Sequence, residues 1–249
     1  GDHRYLNSFP TRRSSDLGSA VQTWQVGQRV GVGWNGGPCC VCDPCQTGDF
    51  GNCRRRLTTG ISVDGGYAEY TVAANQALVL IPDELDPYEA APLMCAGRTT
   101  FTALQNSGAK GGDLVAVRGL GGLGHLAVQF CRKLGFKTVA LSRGKDKALM
   151  AFQLGAHAFI DMENQNTVEE LKLLGGARVI LDTAPNGRAI SELLDGLAPG
   201  GRLIYLSAPK EPVNIAIGKL MGGKSIQGAS FSTPHETLAF SVLADVHPV

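Results

Sequence analysis

Apolar and polar residues alternate along 28–34 and 66–72, the period of strands with one buried and one solvated face. A third apolar stretch at 77–82 closes this part of the chain, with Gly and Pro between the runs. Residues 86–95 read as the start of a helix, with acidic side chains in its first turn. Beyond residue 112 the pattern changes. Short apolar runs at 113–118, 137–141, 158–161, 178–182 and 202–206 alternate with helical periods over 123–134, 145–154, 167–174 and 188–197, and 224–228 is the last strand candidate. Strands that read as continuous apolar runs are covered on both faces. The alternation therefore predicts a doubly wound parallel sheet with helices on either side.

The 249 residues suit one large domain or two partial ones, and 43% hydrophobic residues supply a sizeable core. Lys and Arg number 23 against 22 Asp and Glu. No basic excess exists to neutralise phosphates, which argues against a nucleic-acid partner. No apolar run approaches the ~20 residues of a membrane span, and no membrane partner is expected. Residues 1–17 carry neither a helical period nor the apolar stretch of an export signal. Residues 8–17 resemble the translation of a widely used sequencing adapter, and residues 1–7 match its upstream bases except at Tyr5 and Asn7. This leader is expected to be foreign, disordered and without a role in folding.

Gly119-Leu-Gly121-Gly122-Leu123-Gly124 fits the G-x-G-x-x-G pattern between a predicted strand and a predicted helix. Gly119 suits the tight turn, Gly121 the approach of a pyrophosphate, and Gly124 close packing of helix on strand. The helix start then directs unpaired N–H groups at phosphate. About 20 residues on, NAD sites place a carboxylate for the ribose 2′-hydroxyl. Here Ser142 stands there, with Arg143 beside it and Lys147 one turn later. A hydroxyl and two cations suit the 2′-phosphate of NADP; the alternative is that Arg143 is a solvated surface charge.

Of seven cysteines, Cys39, Cys42, Cys45 and Cys53 form C-x2-C-x2-C-x7-C in a Gly/Pro-rich loop. Four thiolates at this spacing can enclose a tetrahedral Zn²⁺ with no open position, a structural site in a reducing compartment. Cys40 is a fifth, spare thiol. Taken alone, Cys95 reads either as a small buried residue or as a thiolate favoured by a helix start, and Cys131 reads as core.

Together, the four-Cys lobe, Gly65-Gly-Tyr-Ala-Glu-Tyr70, the Cys95-Ala-Gly-x-Thr99 segment and the glycine motif resemble, in that order, the zinc-dependent alcohol dehydrogenases of the medium-chain dehydrogenase/reductase superfamily. The resemblance implies a partial β-rich GroES-like catalytic domain over 18–95, with a structural zinc loop at 36–54. It implies a Rossmann-type nucleotide domain over 96–249. It also implies that Cys95 is a catalytic zinc ligand and that Thr99 lies beside the nicotinamide. The implied reaction interconverts small alcohols and aldehydes or ketones by hydride transfer with NADP or NAD, zinc acting as Lewis acid on the substrate oxygen. A cytoplasmic homo-oligomer is implied for the intact parent. Departures are Arg98, where a small or β-branched residue is expected, and Ser207, where Gly is common. The partner ligands of the catalytic zinc and the C-terminal catalytic segment are expected to be missing, leaving an inactive fragment. The competing reading is a non-catalytic protein that binds nucleotide and zinc.

Overall fold

The computed structural model of the chain describes residues 12–13, 16–207, 209, 212–230 and 233–249, the side chains of Arg12, Arg13 and Arg188 apart. Most of the predicted leader, residues 1–11 and 14–15, lies outside the described residues. Two compact units are formed: Gly1–Arg98 with Phe231–Pro248, and Thr99–Ser230 with Val249.

In the first unit, strands β1 (Arg12–Arg13), β2 (Arg29–Val32), β3 (Asn35–Gly37), β4 (Leu57–Thr58) and β5 (Leu78–Leu80) make two small antiparallel sheets, ordered β1-β2-β5 and β3-β4. Val30 faces both Leu80 and Arg12 across the first sheet, so two leader residues extend a ladder that the sequence did not assign to them. The short helix α1 (Asp43–Gln46), capped by Cys42, carries Cys45 of the clustered cysteines between β3 and β4. Helix α2 (Pro87–Pro92) begins where its sequence signal lies. Pro87 occupies the first turn, and the Asp86 carboxylate accepts the Tyr88 N–H at 2.6 Å. A π-helical turn, Leu93–Gly97, follows and leads into α3 (Arg98–Gln105). Ile81, Leu85, Leu93 and Met94 are buried beneath these elements.

Among the described residues no ladder forms at 66–72, where a strand is predicted, and Tyr67, Tyr70 and Val72 stay exposed. Alternation supplies a face to bury, but a strand also needs a neighbour for its main-chain donors and acceptors. Among the described residues none is aligned with this segment. It runs instead along a cavity of about 630 Å³ floored by Val30, Val32, Thr59 and Ala77.

The second unit is built on six parallel strands: β6 (Leu114–Arg118), β7 (Lys137–Ser142), β8 (Ala158–Asp161), β9 (Ala177–Asp182), β10 (Leu197–Tyr205) and β11 (Ser225–Gly228). Their order, β11-β10-β9-β6-β7-β8, reverses between β6 and β9, as in a doubly wound nucleotide-binding sheet. The connecting helices are α4 (Gly124–Lys133), α5 (Ala148–Gln153), α6 (Thr167–Leu173) and α7 (Ile190–Leu193). The first lies within its predicted span. Helix α5 starts later than predicted because a turn occupies residues 143–147. The helix predicted at 188–197 is α only over α7, with tight 3₁₀ turns on either side, and Leu197 already opens β10. All five residues of β6 are buried, as their apolar run requires, and Phe101 of α3 meets Phe130 of α4 at 5.2 Å between ring centres. Helix α8 (Pro234–Ala244) belongs to the first unit, where Thr237 approaches Gly97.

Candidate functional site

The glycine loop leaves the carboxyl end of β6, beside the strand-order reversal. Gly119 holds φ at +88°, a conformation that favours glycine. A Cβ on Gly124 would lie 1.8 Å from the Gly119 carbonyl oxygen, so no side chain fits at the start of α4. Gly121 and Gly122 are different: nothing lies within 4 Å of where their side chains would be. Their backbone is open to a ligand. Leu123 is half-buried at the helix N-cap position. His125 is buried, with Nδ1 3.0 Å from the Gly121 carbonyl.

Three residues that the sequence did not single out brace this loop. The Thr183 hydroxyl donates to the carbonyls of Arg118 at 2.8 Å and Gly119 at 3.2 Å. Beneath it, Arg118 Nη1 donates to Asp182 Oδ2 at 2.7 Å and to the Asn186 carbonyl at 3.0 Å. Burial pushes the Asp182 carboxyl upward, and the Arg118 charge opposes it. Ser207 donates to the Thr183 carbonyl at 2.7 Å. Their signal was their place: polar residues at the carboxyl ends of parallel strands.

Ser142 closes β7 and is buried, while Arg143 and Lys147 stand exposed on the following turn. The sequence found no carboxylate at this strand end. The structure brings one from the next strand: Asp161 pairs with Ser142 across the β7–β8 ladder. Its oxygens accept from Gly144 N at 2.8 Å, Glu163 N at 3.0 Å and Asn164 Nδ2 at 2.7 Å. The Asn164 amide foremost, then those backbone N–H groups and the Lys145 charge, hold it below its ordinary range against the effect of burial. Asp161 is thereby committed to shaping the turn that carries Arg143.

The thiols of Cys39, Cys42, Cys45 and Cys53 gather with all four sulfurs within 4.8 Å of one another. Cys42 Sγ lies 3.4 Å from Cys45 Sγ and 3.9 Å from Cys53 Sγ. Zinc–sulfur bonds of ~2.3 Å in a tetrahedron set sulfurs about 3.8 Å apart, so this donor set fits Zn²⁺. The Val41 N–H above all lowers the Cys39 thiol to about 6, and the Arg54 backbone lowers Cys42. Burial pushes Cys45 up to about 12. Four sulfurs this close do not all ionise without a cation among them. Cys40 is exposed, with φ at +59°, and stands outside the group.

Cys95 lies half-buried in the π-helical turn, where burial raises its thiol and the Arg98 charge lowers it. Among the described residues the four lobe thiols are the one cluster of three or more metal-ligating side chains, and Cys95 is not gathered with such partners. Thr99 is half-buried in α3. Cys131 is fully buried in α4, as its core reading expects.

Two family models match the chain: "Alcohol dehydrogenase GroES-like domain" over residues 15–83 and "Zinc-binding dehydrogenase" over 122–244. An alcohol dehydrogenase of Penicillium expansum is 40% identical over 240 residues, covering 95% of this chain and 70% of its own. Another from Aspergillus sp. (strain MF297-2) is 44% identical over 193 residues, covering 78% of this chain and 57% of its own. The chain thus spans between about half and seven-tenths of the length of such relatives. A solved cinnamyl alcohol dehydrogenase from Sorghum bicolor superposes with a TM-score of 0.83 at 30% identity, covering 94% of this chain and 70% of that one. Sheet order, glycine loop, cysteine lobe and these likenesses agree: the chain belongs to the zinc-dependent alcohol dehydrogenases of the medium-chain dehydrogenase/reductase superfamily.

Proposed function

We propose that the chain derives from an NADP-preferring oxidoreductase that interconverts small alcohols with aldehydes or ketones. The carrying observation is the turn after β7, where a buried Ser142 hydroxyl and the exposed Arg143 and Lys147 stand at the strand end that holds a carboxylate in NAD sites. On this reading Arg143 and Lys147 bind the 2′-phosphate and Ser142 donates to it. The backbone from Gly119 to Gly124, Leu123 included, receives the pyrophosphate, and Thr99 lies beside the nicotinamide. Cys39, Cys42, Cys45 and Cys53 hold a structural zinc with no open position. A second zinc, with Cys95 as one ligand, supplies a Lewis acid for the substrate oxygen, while NADP accepts or returns the hydride. The intact parent is proposed to be a cytoplasmic homo-oligomer. No helix among the described residues is long and apolar enough to cross a membrane.

A second reading has its own support. Cys95 is without two further gathered ligands among the described residues, so the 249-residue chain is proposed to bind nucleotide and one zinc without turning substrate over. Metal analysis of the purified chain tests both. About one Zn²⁺ per chain is expected, lost in the double variant Cys42→Ser/Cys45→Ser. Two tightly held ions, or zinc retained by that variant, contradict the assignment. Alcohol-dependent reduction of NADP by the chain would refute the inactive-fragment reading.

A further inference from the structure

Arg98 is one of two departures from the family pattern, and its surroundings are unusual for an arginine. It opens α3, three positions after Cys95, and is 7% exposed. Residues three apart on a helix share a face, which sets the guanidinium beside the thiol. Among the described residues, the charges that act on it are the Cys95 thiol and a second cation, Arg56. Arg56 uses Nη1 on the Gly51 carbonyl at 2.7 Å. No carboxylate and no hydrogen-bond acceptor reaches the Arg98 guanidinium among the described residues. Among the described residues, no Arg98 nitrogen is both sealed from solvent and without a partner.

An arginine keeps its charge even when buried, and a buried charge is costly unless an anion meets it. A planar guanidinium with free N–H groups matches a carboxylate with two parallel hydrogen bonds. We propose that Arg98 is a carboxylate-binding site beside Cys95, and that the substrates are alcohols or aldehydes that also carry a carboxylate group. The substrate part rests on the dehydrogenase reading, in which Cys95 marks the reacting centre; the anion site stands on Arg98 alone.

Alkylation of the whole 249-residue chain tests the site directly. Iodoacetate and iodoacetamide both alkylate a thiolate sulfur with loss of iodide, but only the first carries a carboxylate. Peptide mapping reads the rates at Cys95 and at the exposed reference thiol Cys40. The iodoacetate-to-iodoacetamide rate ratio is expected to be about tenfold or more higher at Cys95 than at Cys40, the size of one charge-assisted contact. The iodoacetate rate at Cys95 should saturate, and acetate should slow it there and not at Cys40. Arg98→Leu should bring the ratio down to that of Cys40, and Arg98→Lys should retain part of it. If the leucine variant fails to fold, acetate competition in the unmodified chain decides. Equal ratios at the two thiols, no slowing by acetate, or an unreactive Cys95 overturn the site. Inorganic phosphate competing better than acetate overturns the carboxylate assignment. NADPH binding followed by fluorescence on the same protein separates the two ideas, since its absence sinks the dehydrogenase reading and leaves the alkylation result standing.

Discussion

Arg143 is the residue proposed to set the cofactor preference. It is exposed, on a turn whose backbone Asp161 fixes through the Gly144 N–H. A charge-assisted contact to phosphate contributes on the order of 1.5–3 kcal/mol. Arg143→Ala should therefore weaken NADP roughly 10–150-fold and leave NAD nearly unchanged. Titration of both cofactors decides, and equal weakening would make Arg143 a surface charge. Asp161 makes a prediction of a different kind. Its carboxyl titrates below the ordinary carboxylate range when folded, so the stability it contributes is fully present above the unfolded value of about 3.9 and lost as pH falls through the lower folded value. In urea denaturation the gap between the parent and Asp161→Asn should be constant near neutral pH and shrink below about pH 4. A gap that persists to strongly acid pH would show that the carboxylate's charge contributes nothing.

Strands β6 and β9 are joined by more than their ladder, because the Arg118–Asp182 pair crosses between them just under the glycine loop. The Asp182 side chain is fully buried and that of Arg118 nearly so. Removing one partner from such a pair costs about 3–5 kcal/mol, whereas replacing both with apolar residues is close to neutral. Arg118→Met should lose that amount in chemical denaturation, and Arg118→Met/Asp182→Leu should regain most of it. A double variant as unstable as the single one would contradict this account. The pair also marks a limit of sequence reading. Continuous apolar runs made the strands β6 to β10 legible, since burial on both faces leaves little other pattern; the edge strand β11, Ser-Ile-Gln-Gly, has no such run. The Gly119–Gly124 turn and the four-thiol lobe were legible because few other residues can do what they do. Asp161, Thr183 and Asp182 were not, because each acts across a register that only the assembled sheet defines. The segment 66–72 has no ladder among the described residues for the converse reason: its alternation is a local property, and pairing is not.

At the scale of the whole molecule the two units differ in how they use the chain. Read along the sequence alone, the nucleotide domain runs to residue 249. The folded chain instead gathers 231–248 with the first unit. At the other end, β1 contributes a two-residue ladder at the sheet edge. Deleting residues 1–17, read from the sequence as a foreign leader, should leave stability within about 0.5 kcal/mol, measured by thermal denaturation. A larger loss would assign the leader a place in the fold. The division has a consequence for biosynthesis. Thr99–Ser230 is contiguous and can close as soon as β11 has been made. The earlier unit waits for α8, whose Thr237 meets Gly97. At ~5–20 residues per second, the ribosome needs on the order of ten seconds to travel from one to the other. For that interval the surface around Gly97 has no covering helix. The nascent chain is thus expected to need chaperone protection on the half made first and to finish folding in the reverse of its order of synthesis.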